Sequence, residues 1–167
     1  MKPKIWIENN QSEKAPFRGY KTVLRRAIGI VLEEEGFHDP CEISVSLVTR
    51  EEIRRLNGEF RQVDRETDVL SFPMLEEGEE PLPGKRVCLG DIILCPAVIL
   101  EQSTAFGTTF RQEMCLMVIH STLHLLGWDH MEEKAKEEMF ALQEKLFASL
   151  GEGEIKTEKE RMGKEAE

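Results

Sequence analysis

The spacing of apolar residues in the first half of the chain predicts strands that alternate with helices. Apolar and polar residues alternate at 5–8 and again at 43–47, which is the period-two pattern of strands with one buried face. Between them, apolar residues recur at helical spacing at 20–32, and Gly36 follows as a helix stop. A capping box at Thr49 then predicts the start of a second helix.

The second half of the chain predicts two more strands followed by three helices. Segments 67–73 and 87–94 have the length of strands; the first ends at a proline, and the second is a near-continuous apolar run. The helix that follows a capping box at Thr109 is apolar on most sides, so we expect it in the middle of the core. The order β-α-β-α-β-β-α-α-α predicts an α+β fold, in which a small mixed β-sheet of about four strands packs with about five helices.

The length and composition of the chain predict one soluble domain. It has 167 residues, of which 40% are apolar and 32% charged. We expect the domain at 1–150 and a charged, disordered tail at 151–167, because the tail carries six acids and four bases but few apolar side chains. No apolar run is long enough for a membrane span or a signal core, which predicts a cytoplasmic protein without a membrane partner.

Cysteine usage agrees with a reducing compartment. The four cysteines are widely spaced, form no CxxC pair and lie in or next to apolar runs, at Cys41, Cys88, Cys95 and Cys115. We expect buried free thiols, because the chain is long enough to build its own core without disulfides. The spacing does not support a zinc site made of thiolates.

The charge of the chain is negative in total but uneven. A net charge of −10 argues against a general nucleic-acid binder, because phosphate backbones call for a basic surface. The segment 50–65, however, carries five arginines against four acids. A local arginine patch can therefore coexist with a negative total.

The segment HSTLHLLGWDH, at 120–130, contains three of the four histidines of the chain. His120 and His124 are four residues apart, so on a helix their side chains leave the same face, about 40° apart. Gly127 lets the chain leave the helix, and His130 can then return as a third ligand. Three neutral histidines with an open fourth position are typical of a catalytic zinc site, with one Zn²⁺ per chain. The alternative, histidines of no special role, is disfavoured by their clustering.

The residue after the first histidine bears on the chemistry of such a site. Zinc peptidases use the motif HExxH, in which a glutamate base directly follows the first histidine. Ser121 occupies this position, and its hydroxyl is not basic near neutral pH. A peptidase is therefore disfavoured. Bound zinc can instead activate water against a phosphoryl group, which favours phosphodiester hydrolysis.

Three motifs give the chain a resemblance to the YbeY family of bacterial and organellar metal-dependent endoribonucleases. HSTLHLLGWDH resembles the family motif HGxLHLxGYDH, the segment 60–73 resembles its arginine followed by T-[DN]-VLSFP, and LGDI at 89–92 resembles its third motif. Their order and spacing agree across roughly residues 40 to 150. The chain departs from the pattern at Ser121, where the family usually has glycine, and at Trp128, where it usually has tyrosine.

The resemblance implies a zinc-dependent, single-strand-specific endoribonuclease. Such an enzyme would act in ribosomal RNA processing, at the 3′ end of the small-subunit RNA, and in ribosome quality control. The resemblance implies that His120, His124 and His130 bind zinc and that Arg61 is catalytic, since a guanidinium can stabilise the charge on a phosphodiester under attack. It also implies single-stranded or ribosomal RNA as a partner, with ribosomal small-subunit proteins or an assembly GTPase as protein partners.

The roles of the surrounding polar residues stay open. Asp129 can fix the tautomer of a ligating histidine or shape the turn after Gly127. Asp91 can orient a histidine or Arg61, or it can mark a bulge beside Gly90. Candidate contacts to RNA phosphates are Arg50, Arg54, Arg55 and Arg65. A solvated helix face is the commoner role for each of these four arginines taken alone.

Two other functions stay open at this point. The first is a ribosome-assembly or RNA-chaperone factor with a non-catalytic zinc site, which a fourth protein ligand would favour. The second, less favoured, is a zinc peptidase that lacks the usual glutamate. The identity of the metal is also open, because three histidines accept several late first-row ions.

Overall fold

The computed structural model describes residues 2–11, 15–75, 83–129, 132–157 and 160–161. In these ranges the elements follow the predicted order and confirm the α+β class. They are β1 (Lys4–Asn9), α1 (Tyr20–Glu34), β2 (Cys41–Leu47), α2 (Arg50–Arg61), β3 (Val69–Pro73), β4 (Val87–Leu94), α3 (Pro96–Phe106), α4 (Phe110–Leu125) and α5 (Glu133–Leu150). Within the described part, no helix is both long and apolar enough to cross a membrane.

The four strands form one mixed sheet in the order β1-β2-β4-β3. β1 and β2 run parallel, as do β2 and β4, whereas β3 runs antiparallel to β4 at the edge of the sheet. Parallel neighbours need a crossover connection, and α1 supplies it between β1 and β2. This arrangement confirms the predicted small mixed sheet.

One face of the sheet is buried by the helices α1, α4 and α5. The cross-strand partners Ile7, Val45, Ile92 and Ser71 share this face. The three apolar members of the row belong to the main core, together with buried residues of the three helices. Because Ser71 lies in the same row, its side chain points toward the layer that contains α4.

The opposite face of the sheet is covered differently. Its central row of cross-strand partners is Trp6, Ser44, Asp91 and Phe72. Trp6 is 51% exposed. The helix α2 contacts this face next to β3, where Ile53 and Leu70 belong to a second, smaller apolar cluster.

The exposure of the cysteines follows from these two faces. Cys41, Cys95 and Cys115 are buried free thiols, as predicted. The prediction is wrong for Cys88, which is exposed. Cys88 pairs with Glu42 on the second face of the sheet, where the helices of the main core do not cover it.

Threonine caps begin both α2 and α4. Thr109 and Gln112 form the complete capping box that the sequence predicts. Thr49 accepts a hydrogen bond from the backbone of Glu52, but the Glu52 carboxylate binds Arg55 instead of reaching back to the cap. The capping box predicted at Thr49 is therefore only half formed. The helix α4 is buried on nearly all sides, as its apolar sequence predicts.

The described part of the tail contacts the domain. Arg161 is 5% exposed and donates to both carboxylate oxygens of Glu113 on α4, at 2.6 and 2.9 Å. Its guanidinium also lies 3.9 Å from the ring centroid of Phe106. Glu152 accepts two hydrogen bonds from Arg111 of the same helix. These contacts hold Glu152 and Arg161 against α4, and the disorder of the tail as a whole stays a prediction.

Candidate active site

The last turns of α4 bring two of the predicted histidines together. His120 and His124 are both half-buried. Their Nε2 atoms lie 3.0 Å apart, and their ring centroids lie 4.5 Å apart at an interplanar angle of 82°. The four-residue spacing therefore places the two imidazoles on one helix face, as predicted.

Oxygen atoms orient both imidazoles by binding Nδ1, the ring nitrogen that does not face the other histidine. Nδ1 of His120 donates to Oε1 of Gln143, and Nδ1 of His124 donates to the backbone carbonyl of Trp128, each at 2.7 Å. A carbonyl oxygen only accepts, so each Nδ1 carries the proton in these contacts. In the neutral imidazole, Nε2 then presents a lone pair to the site.

The donor set fits a metal ion. Two lone pairs 3.0 Å apart repel one another unless a cation or a proton lies between them. Imidazole nitrogens whose opposite N–H is bound by a carbonyl are the usual arrangement of histidine ligands. His130, the predicted third ligand, lies outside the described residues. Among the residues that are described, no group of three or more His, Cys, Asp or Glu side chains could by itself coordinate a metal.

The turn after α4 explains how the Trp128 carbonyl reaches His124. Gly127 adopts a positive φ of 98°, a conformation that side chains rarely tolerate. The backbone N–H of Trp128 then returns to the carbonyl of Leu123 at 3.1 Å, which closes the helix end. The indole N–H of Trp128 donates to Glu35 at the end of α1. Tryptophan thus supplies both a ring that is tied to α1 and a carbonyl that orients a histidine.

Gln143 is a site residue that the sequence interpretation missed. It lies on α5 among buried apolar residues of the same helix, and it is itself 3% exposed. A buried polar side chain needs a hydrogen-bonding partner, and His120 supplies it. One polar residue in the apolar stripe of α5 was the signal that could have identified it.

Arg61 reaches the site through β3. It is the last residue of α2, is exposed, and donates from Nη2 to the carbonyl of Ser71 at 2.6 Å. Its guanidinium lies 5.4 Å from the ring centroid of Phe72. The Ser71 hydroxyl lies 2.5 Å from that of Ser121, the residue directly after His120. The structure therefore joins the arginine, VLSFP and histidine motifs in one cluster.

Asp91 does not orient the histidines. It pairs with Phe72, one position from the Ser71–Ile92 pair, so it points away from α4. Burial raises the pKa of its carboxyl group. The alternative, a bulge beside Gly90, is correct: the register with β2 shifts here. Gly90 has a φ of 138°, and a Cβ atom would lie 2.2 Å from the Phe72 carbonyl oxygen. Among the described residues, no hydrogen bond joins Asp91 to Arg61.

The other predicted site residues lie in the turn after α4, on α2 and just beyond the end of α2. Asp129 is exposed in the turn after α4, and its role toward the histidines stays a prediction. Arg65 is exposed beyond the end of α2. The remaining three arginines are bound to acids in the pairs Arg50–Glu66, Arg50–Glu101, Arg54–Asp64, Arg55–Glu52 and Arg55–Glu59. Such pairs favour the solvated helix face over dedicated phosphate contacts.

Comparison with known proteins finds matches over a range of the chain that includes this cluster. Residues 6–151 match the family model described as endoribonuclease YbeY. A protein of Clostridium perfringens described by the same name is 39% identical over an alignment of 161 positions, and the match covers 87% of this chain and 96% of the relative. One from Caldanaerobacter subterraneus is 40% identical over 159 residues, with coverage of 88% and 97%.

A solved structure gives the same result at the level of the fold. The solution structure of a protein from Thermotoga maritima superposes on this chain with a TM-score of 0.58. The two sequences are 33% identical, and the match covers 87% of this chain and 88% of the other. The similarity therefore extends over nearly the whole described domain.

Proposed function

Because the chain belongs to the endoribonuclease YbeY family, we propose that it cleaves single-stranded RNA at the cluster of His120, His124 and Arg61. As a member of this family it is a hydrolytic endoribonuclease. The observation that carries the assignment to this cluster is the geometry of the two imidazoles, with each Nδ1 bound by oxygen and the two Nε2 atoms facing one another. Ser121, in place of a glutamate base, disfavours peptides as substrates.

Nε2 of His120 and Nε2 of His124 would bind the metal, and we propose His130 as the third ligand. We propose Zn²⁺, one ion per chain, because neutral imidazoles suit this ion and two of them are already oriented by acceptors. When bound, the ion supplies Lewis acidity toward water and a phosphodiester. Imidazole also accepts other late first-row ions, so metal analysis of the purified protein decides the identity.

The chain itself would bind and neutralise the phosphate through Arg61. The bond to the Ser71 carbonyl uses one of the five N–H donors of the guanidinium, and the residue is exposed to an incoming ligand. Among the described residues Arg61 forms no ion pair with an acid, unlike Arg50, Arg54 and Arg55. A guanidinium fork matches two phosphate oxygens and counters the charge that grows during attack.

We further propose that the natural substrate is ribosomal RNA, at the 3′ end of the small-subunit RNA. Family membership supports ribosomal RNA processing. The net charge of −10 disfavours binding through a broad basic surface and favours recognition with help from protein partners. Ribosomal small-subunit proteins and an assembly GTPase, met in the cytoplasm, are the partners we propose.

The experiment compares variants on a labelled single-stranded RNA with bound metal quantified. We expect His124→Ala to lose both metal and cleavage. We expect Arg61→Ala to keep its metal and lose cleavage by about 10²-fold or more. The matched control is Arg54→Ala, since Arg54 is an exposed arginine of the same helix that is paired with Asp64. Wild-type cleavage by the Arg61 variant, or by metal-depleted protein, would sink the proposal. Metal-loaded protein that binds RNA without cutting it would favour an assembly or chaperone factor.

A further inference from the structure

Ser71 contacts both halves of the candidate site. Its backbone carbonyl accepts the hydrogen bond from Arg61 at 2.6 Å. Its side-chain hydroxyl shares a hydrogen bond of 2.5 Å with the hydroxyl of Ser121. Ser121 directly follows His120 on α4. A continuous path of two hydrogen bonds therefore runs from the guanidinium to the helix that carries the histidines.

The position of β3 explains why this path exists. β3 is the edge strand next to β4, so one side of its backbone is not used by the sheet. On that strand the Ser71 carbonyl is bound by Arg61. The Ser71 side chain points to the core face, against which α4 packs. The Ser121 hydroxyl is 0% exposed, and a buried hydroxyl without a partner is costly.

We propose that the hydroxyl pair of Ser71 and Ser121 is a positioning device that fixes Arg61 relative to His120 and His124. The proposal rests on the proposed function, in which Arg61 and the histidines act on the same phosphate. A guanidinium stabilises a transition state only at a fixed place, and a misplacement of about 1 Å can cost on the order of 10²-fold in rate. Neither serine touches the reacting atoms in this proposal.

One of the two hydroxyl groups, that of Ser121, is a feature in which this chain differs from the usual family motif. A glycine at position 121, which is usual in the resembling family motif, has no hydroxyl to offer. In this chain the hydroxyl occupies a buried position, and Ser71 lies on the facing strand to receive it. The serine at 121 therefore adds a link between β3 and α4 directly beside the two imidazoles, whose Nε2 atoms lie 3.0 Å apart.

The test separates kcat from KM on a labelled single-stranded RNA for Ser71→Ala, Ser121→Ala and the double variant. We expect each single variant to lose roughly 10-fold or more in kcat, with KM and bound metal near the wild-type values. The double variant should be no worse than either single one, because both changes break the same bond. Ser71→Thr keeps the hydroxyl and should restore kcat. The control is Ser44→Ala, on the same sheet but on its opposite face.

A second measurement does not depend on catalysis. The side-chain Nε–Hε NMR signal of Arg61, assigned with Arg61→Lys, should show an ordered guanidinium in the wild type and a mobile one in Ser121→Ala and Ser71→Ala. Unchanged order of Arg61 in both variants overturns the proposal, as do single losses in kcat that multiply in the double variant. If the wild type cuts no RNA, the proposed function fails, and the NMR signal still decides whether the serines position Arg61.

Discussion

The side-chain oxygen of Gln143 lies 2.7 Å from Nδ1 of His120, so a residue of α5 orients an imidazole of α4. Gln143 is 3% exposed, which keeps water from competing for the contact. An acceptor behind Nδ1 fixes the ring and its tautomer, and it directs Nε2 toward His124. The helix α5 is therefore part of the candidate site, although none of its residues lies in a family motif.

Replacing Gln143 should weaken metal binding. We expect Gln143→Leu to lower the affinity for Zn²⁺ by about 10- to 100-fold, because the His120 ring loses the acceptor that orients it. Competition with a chromophoric chelator measures this affinity directly. Gln143→Glu keeps an oxygen at the same place and should retain at least the wild-type affinity. Equal affinities for the Leu variant and the wild type would show that the hydrogen bond does not orient a ligand.

Arg161 lies beyond the residues that match the family model, and its removal should still destabilise the fold. Arg161→Met leaves the buried Glu113 carboxylate without its charged partner and with only the hydroxyl of Thr108 as a donor, and breaking such a pair costs about 3–5 kcal/mol in the free energy of unfolding. Urea denaturation measures the loss. The double variant with Glu113→Gln removes both charges and should recover most of it. Lys156→Met in the same tail should change the unfolding free energy little, and a similar loss there would argue against a specific anchor.

Low pH should remove the contribution of the Glu152 carboxylate to the stability of the fold. Its hydrogen bonds from Arg111 lower the pKa of the Glu152 carboxyl group. A lowered folded pKa contributes stability above the unfolded value, about 4.3, and this contribution is lost as pH falls through the folded pKa. Glu152→Gln should therefore be less stable than the wild type at pH 7, by under about 1 kcal/mol because Arg111 is partly exposed.

At pH 3 the difference in stability between the wild type and Glu152→Gln should be smaller than at pH 7, because the contribution of the Glu152 carboxylate is lost as the pH falls toward its lowered folded pKa. Urea midpoints at the two pH values check this. Glu154→Gln, two residues along the chain, is the control and should match the wild type at both. A gap between wild type and Glu152→Gln that stays constant with pH would mean that the charge of Glu152 does not stabilise the fold.

One thiol should react quickly in the native protein. Cys88 is exposed, whereas Cys41, Cys95 and Cys115 are buried. Burial raises the pKa of all three buried thiols, that of Cys115 to about 12, so at pH 8 they are neither accessible nor ionised. Ellman's reagent should label one equivalent before denaturation and four after it. Cys88→Ser should abolish the early equivalent, and persistence of that equivalent would contradict the assignment.

The elements and the pair of histidines could be predicted because they depend on neighbours within a few residues. Hydrophobic periodicity gave the order of strands and helices, and the capping box at Thr109 gave the start of α4. The spacing of His120 and His124 placed both rings on one face, since a helix repeats about every four residues. Gly127 marked the end of that helix for the same local reason.

The excluded alternative and the wrong prediction concern residues whose surroundings are distant in the chain. Two alternatives were open for Asp91, and the register of β3 and β4 excludes the orientation of a histidine because it turns the side chain to the other face of the sheet. Cys88 was expected in the core, but its strand position lies on the less covered side of the sheet. In both cases an apolar run predicted burial correctly for most of its members, but it could not say which face of the sheet each member takes on either side of a bulge.

The sequence by itself determined the elements, their order and the residue types that bring metal and phosphate chemistry to the chain. Tertiary structure alone decided that β4 lies between β2 and β3 and that Gln143 orients a histidine 23 residues away in the chain. It also decided that Ser71 contacts Ser121, 50 residues away, and that Arg161 pairs with Glu113, 48 residues away. The physical reason is the range of the interactions. Periodicity and caps act within a turn of the backbone, whereas a hydrogen bond between buried side chains exists only after packing has brought its two residues together.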